Sequence, residues 1–174
     1  MTLSEKYLIE ALDNYPYNLP QVLESLNYSL SYDSENAMAL GLMGQFYSEQ
    51  FLQYEKAKEY FAQALAIDLH CVKIYPNYID TLIYNQDYNE ALKLIEFAMT
   101  IKGIDKGLIW YKKAILFEYT EKFKKATQCL EKSRQYSLNS SFNQDIDSSL
   151  ERINEKTKKI KKSIKTQYII NYSN

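Results

Sequence analysis

Glycine and proline are scarce in this chain, four and three among 174 residues. Folds built on tight turns, sandwiches and nucleotide-binding sheets among them, need more turn chemistry than that. The two cysteines, Cys71 and Cys129, lie far apart and form no CxxC pair. They read as small core hydrophobes in a reducing compartment, not as a disulfide framework. A single histidine, His70, sits next to Cys71. Two adjacent side chains do not readily face one ion, and a metal site needs three or four ligands. The same geometry defeats a Cys-His nucleophile pair. No GxGxxG, Walker loop, GxSxG or HExxH occurs, and the carboxylates fall on polar helix faces instead of in acid-base pairs. No catalytic residue, cofactor or metal is therefore expected. No apolar run reaches the ~18 residues of a membrane span. Ser4, Glu5 and Lys6 stand where the apolar part of a leader would begin, so the expected location is the cytoplasm.

What is present is evenly spread Leu, Ala, Glu and Lys, in 46% hydrophobic and 25% charged residues, and seventeen tyrosines. A chain of this length can bury roughly 70% of the surface it exposes when unfolded. Net charge is −1, but residues 151–174 hold seven Lys or Arg against two Glu, leaving the rest of the chain acidic.

The main signal is an internal repeat. Ala57, Phe61 and Ala64 recur as Ala91, Ile95 and Ala98, then as Ala126, Leu130 and Ser133, with a weaker copy at Val22, Leu26 and Ser29. An aromatic residue precedes each leading alanine by three positions: Tyr54, Tyr88 and Phe123. Upstream, Leu40, Met43, Gly44 and Tyr47 share their spacing with Trp110, Lys113, Ala114 and Phe117. Over residues 4–139 this pattern resembles the tetratricopeptide repeat, whose first helix carries W-x2-L-G-x2-Y and whose second carries A-x3-F-x2-A at a period of about 34. Small residues at a helix crossing let backbones approach, and the neighbouring large residue fills the groove. Each pair covers its neighbour's apolar face.

The expected fold is all-α, a superhelical array of about four helix pairs over 1–139, a long capping helix over 140–166 and a tail over 167–174. First helices are expected near 4–15, 36–49, 71–84 and 106–119, and second helices near 19–32, 53–67, 88–101 and 122–137. Thr2 and Glu5 form a capping box, Pro20 suits the first turn of its helix, and Gly103 suits the residue after a helix end. Pro76 implies a late start or a kink in the third first helix. The second inter-helix loop has one extra residue and the first is two short.

Ser141 and Gln144 read as the capping box of the last helix. Ile146, Leu150, Ile153, Thr157, Ile160 and Ile164 form an apolar stripe along it, as a terminal cap with one polar face requires. Lys156, Lys158, Lys159, Lys161, Lys162 and Lys165 form a solvated outer face. Nucleic acid is not an expected partner, because no aromatic or arginine residues interleave with these lysines. The stripe leaves room for a homodimer through this helix.

In proteins of the family that the repeats resemble, first helices line a concave groove that takes a peptide or helix. That implies groove positions at Lys6, Ile9 and Asp13 in the first repeat and Gln45, Ser48 and Glu49 in the second. The third repeat contributes Lys73, Asp80 and Tyr84, and the fourth Tyr111, Ile115, Glu118 and Tyr119. One subtype clamps a C-terminal carboxylate with Lys, Asn and Arg. Here those positions include Asp13, Gln45 and Asp80, so that set is missing. The resemblance implies a non-catalytic scaffold or adaptor that binds a partner protein or peptide. The alternatives are a cytoplasmic chaperone for a secreted protein and a structural homodimer.

Overall fold

The computed structural model describes residues 1–172, with side chains through Lys162. Nine helices and no strand occur among the described residues: α1 (Leu3–Asn14), α2 (Leu19–Tyr32), α3 (Ala37–Gln50), α4 (Tyr54–Ile67), α5 (Ile74–Tyr84), α6 (Tyr88–Ala98), α7 (Lys106–Tyr119), α8 (Phe123–Tyr136) and α9 (Ser140–Tyr172). The chain divides into two compact units, Met1–Ile104 and Asp105–Asn174. Three helix pairs make the first, and one pair with α9 makes the second.

In the first unit α1 pairs with α2, α3 with α4 and α5 with α6, and each later pair leans on the one before. The repeat alanines sit where the spacing put them. Ala57, Phe61, Ala64, Ala91, Ile95 and Ala98 are all 0% exposed. Gly44 supplies the close crossing of α3 on α4, where a Cβ would stand 3.0 Å from the Phe61 ring. Val22, Leu26, Met43 and Phe46 build one continuous core cluster. The tyrosines serve largely as half-buried packing: Tyr47 stacks on Tyr60, and Tyr75 is fully buried with its hydroxyl donating to the Leu69 carbonyl.

In the second unit Ala126, Leu130 and Ser133 are likewise 0% exposed. Ser133 donates to the Gly107 carbonyl at 2.8 Å, fastening α8 to the start of α7. Ile146 and Ile153 of α9 are buried in the same cluster as Ala114, Cys129 and Leu130.

Three of the four turns between paired helices, all but that joining α1 to α2, share one device. Leu52, Gln86 and Glu121 all take left-handed backbone, with φ of 54°, 66° and 56°. The amide that follows each of them then bonds back to the end of the first helix. Asp87 reaches Leu82 and Lys122 reaches Phe117, whereas Gln53 reaches one residue further, to Tyr47. That extra step is the added residue of the second loop. Such a turn satisfies carbonyls that the helix end would otherwise leave open.

Three local expectations need correction. α5 begins at Ile74 instead of near 71, which is the late start that Pro76 implied, and Pro76 falls in the first turn, where no amide is needed. α6 ends at Ala98 with Met99 as its cap, so Gly103, at φ 86°, turns the connecting segment and does not cap the helix. The last helix is capped by Asn139, whose Oδ1 accepts from the Ser141 amide at 2.8 Å, and not by Ser141 with Gln144. Thr2 and Glu5 do form the capping box of α1, and Pro20 lies in the first turn of α2. The helix α9 runs past 166, where the sequence reading ends it. Ile164, Lys165 and the tail over 167–174 lie outside the residues whose side chains are described. Among the described residues no helix is long and apolar enough to cross a membrane.

Candidate binding groove

Within the first unit α3 and α5 lie side by side, tied by a buried hydrogen bond of 2.8 Å between the Thr81 and Ser48 hydroxyls. Their close approach depends on Gly41, where a Cβ would stand 2.9 Å from Ile74. The shared face carries two adjoining pockets of about 230 Å³ each. The first has an apolar floor of Leu12, Met38, Leu42 and Ile74, with Lys73 on its rim. The second is lined by Gln45, Ser48, Glu49, Asn77, Asp80 and Tyr84. Gln45 and Asn77 border both pockets.

A directed chain of hydrogen bonds crosses this face. Asn77 donates to Gln45 at 2.8 Å, and Gln45 donates to Glu49 at 2.9 Å. The Tyr15 hydroxyl donates to the other oxygen of Glu49. Burial, and then the hydrogen bond to Glu49, push the Tyr15 phenol up to about 12. Tyr15 therefore stays a neutral donor across the physiological range. Such a chain polarises along its length, and it ends on an ionised carboxylate.

Five of the expected positions, Gln45, Ser48, Glu49, Asp80 and Tyr84, thus come together in one pocket, and Lys73 borders the next. Lys6, Ile9 and Asp13 of α1 are exposed and line neither pocket. α1 contributes Leu12 instead. Asn77 is the polar residue that sequence reasoning missed. Its signal was available, because Lys73, Asn77, Asp80 and Tyr84 step by 4, 3 and 4 along one helix face.

In the second unit the expected positions have a different setting. Tyr111 shares a 3.0 Å hydrogen bond with Ser149 of α9 and meets the Phe142 ring edge-on. Glu118 is only 6% exposed. Arg152 grips it through two nitrogens at 2.9 and 2.8 Å, and Lys156 adds a third bond at 2.7 Å. Burial pushes the Glu118 carboxyl up, but the hydrogen bonds from Arg152 and Lys156 outweigh it and hold the group below the usual carboxylate range. Ile115 is half-buried and Tyr119 is exposed. Here the chain's own basic, amphipathic α9 lies on the face of a first helix.

Charge separates sharply between the units. The first holds six lysines against fourteen Asp or Glu, a net −8, and the second holds fifteen Lys or Arg against eight acids, a net +7. Burial pushes the thiols of Cys71 and Cys129 up, away from the reactive thiolate. Among the described residues no three metal-ligating side chains converge.

The chain has the tetratricopeptide-repeat fold, and similar solved structures share it. PilF of Pseudomonas aeruginosa matches over 90% of this chain and 70% of its own, at 18% identity and a TM-score of 0.77. MamA from Desulfovibrio magneticus RS-1 matches over 96% of this chain and 98% of its own, at 13% identity and a TM-score of 0.66. The TPR2B domain of yeast Sti1, solved as a complex with pHsp70, matches over 78% of this chain and 98% of its own, at 15% identity and a TM-score of 0.53. No family model matches the sequence, and no curated protein does. The likeness is one of fold.

Proposed function

We propose that the protein is a non-catalytic scaffold that holds a segment of a partner protein against the face formed by α3 and α5. The observation that supports this most directly is the pair of adjoining pockets on one helix face, one with an apolar floor and one polar. Apolar pockets with a few convergent polar groups are the usual form of a binding site. The neighbouring fold is used by protein-binding scaffolds, and a partner protein is the ligand class such a face suits. The excess of acids on the first unit favours a partner surface of opposite sign by steering its approach. Two free thiols are compatible with a reducing, cytoplasmic setting.

The test places a photo-crosslinking residue at Gln45, and in a second protein at Glu59, which is exposed on α4. The expected result is a partner captured from the native cell at position 45 and not at 59. Gln45→Arg or Tyr84→Ala, each in the otherwise native chain, should abolish capture of the same partner by a crosslinker placed at Asn77. Equal capture at both sites, or capture indifferent to those substitutions, refutes the reading.

A further inference from the structure

We infer that the groove reads the direction of the segment it holds, selecting an apolar anchor flanked by a carboxylate on one side and a Lys or Arg on the other. The inference rests on the groove reading above and adds the chemistry of the partner. The two pockets carry opposite charge at their outer ends. Lys73 borders the apolar pocket and Glu49 borders the polar one, with the neutral amides of Gln45 and Asn77 between them. Along α5, Lys73 lies seven residues before the polar pocket's Asp80, which is roughly 10 Å at 1.5 Å per residue.

Glu49 is the stronger half of the argument. Both hydrogen bonds it receives come from neutral donors, the Tyr15 hydroxyl and the Gln45 amide. An ionised carboxylate has about four acceptor positions, so roughly two remain for an incoming ammonium or guanidinium. Charge-assisted hydrogen bonds of that kind are about twice as strong as neutral ones. The second unit displays the same chemistry in use. There the cations of α9, flanking a stripe that buries Ile146 and Ile153, close on Glu118. A segment docked in the reverse direction on the first unit would set its cation against Lys73 and its carboxylate against Glu49. Opposing like charges are how an interface rejects a wrong arrangement.

The experiment uses two labelled synthetic helical peptides of identical composition, a Glu and a Lys seven residues apart with leucines between, in the two possible orders. Binding to the full chain is read by fluorescence anisotropy at low salt. The expected result is about a tenfold preference for one order, shrinking to below about twofold in 1 M salt, where the Debye length is near 3 Å. Glu49→Gln should erase the preference, and the exchange of charges in Lys73→Glu with Glu49→Lys should invert it, with helical content unchanged by circular dichroism. Equal binding of both orders to the native chain, with amide shifts at Gln45 and Asn77, overturns the directional reading and leaves the groove reading standing. If neither peptide binds, and a captured partner protein also leaves those amides unshifted, the groove reading itself fails. If the native chain self-associates in a sedimentation experiment, Glu49→Lys disperses it and the peptides do not compete, the occupant is a second copy and the inference is overturned.

Discussion

Removing Arg152 and Lys156 together should destabilise the second unit far more than removing Glu118, the residue they both hold. Glu118 is 6% exposed, whereas the side chains of Arg152 and Lys156 are 45% and 48% exposed. In Glu118→Gln the two cations lose a partner but can turn to water, so the loss should be about 1–1.5 kcal/mol, the scale of net hydrogen bonds. In Arg152→Met with Lys156→Met the apolar stems remain while a buried carboxylate is stranded. Breaking a buried pair that way costs about 3–5 kcal/mol. The carboxylate can escape by taking up a proton, which from an unfolded value of 4.5 costs roughly 3.4 kcal/mol at pH 7, at 1.36 kcal/mol per unit. The double variant should therefore lose about 3 kcal/mol. Trp110, the single tryptophan, packs against the cluster that α9 completes, so its fluorescence reports this unit during urea unfolding.

The pH dependence separates the variants further. In the native chain the folded value lies below the unfolded one, so the stabilisation is complete above about pH 4.5 and fades as pH falls through the lowered value. Glu118→Gln lacks that acid limb. In the double variant burial acts alone and raises the value, so the sign reverses and stability should rise as pH falls from 7 toward 5. Losses within about 0.5 kcal/mol of one another for the two variants, or a double variant with the native acid limb, would refute the assignment of Glu118 as a buried charge held by α9.

Other outcomes follow from the packing. Gly44→Ala gains about 1 kcal/mol of helix propensity but drives a Cβ into the buried Phe61 ring, and overpacking costs about 1–3 kcal/mol, so urea melts should show a net loss near 1 kcal/mol. Gly41→Ala likewise gains about 1 kcal/mol of helix propensity but sets a Cβ 2.9 Å from Cγ1 of the buried, β-branched Ile74, so a net loss near 1 kcal/mol is expected there too. Gln86→Gly and Glu121→Gly should each raise stability by about 0.5–1 kcal/mol, because left-handed backbone strains a residue with a Cβ by more than glycine adds in chain entropy. Ending the chain after Asn139 removes Ile146 and Ile153, each worth about 1.5–3 kcal/mol of burial, so the Trp110 emission should shift to the red at temperatures where the full chain is folded.

The repeat was legible because it rests on local spacing. Ala57, Ala91 and Ala126 occupy fully buried crossings where a small side chain lets helices approach, and that demand prints a period of 34 or 35 residues on the sequence. Helix ends followed within two residues except where Pro76 delayed α5, where α6 stopped at Ala98 and where α9 ran on past 166. The site was legible only in part. Gln45, Ser48, Glu49, Asp80 and Tyr84 share helical faces, and one pocket gathers them. Asn77 and Gly41 escaped notice, although Asn77 belongs to the same stripe and Gly41 lines the neighbouring pocket. Glu118 could not have been read from its own helix. Its partners lie 34 and 38 residues away on α9, and nothing in local spacing records which face a distant helix will cover.

A formal charge of −1 conceals an opposition of −8 and +7 between the two halves of the chain. On a chromatography column the protein should behave as neither acid nor base. At low ionic strength both anion and cation exchangers should retain it, each through a different half, and modest salt should release it from either.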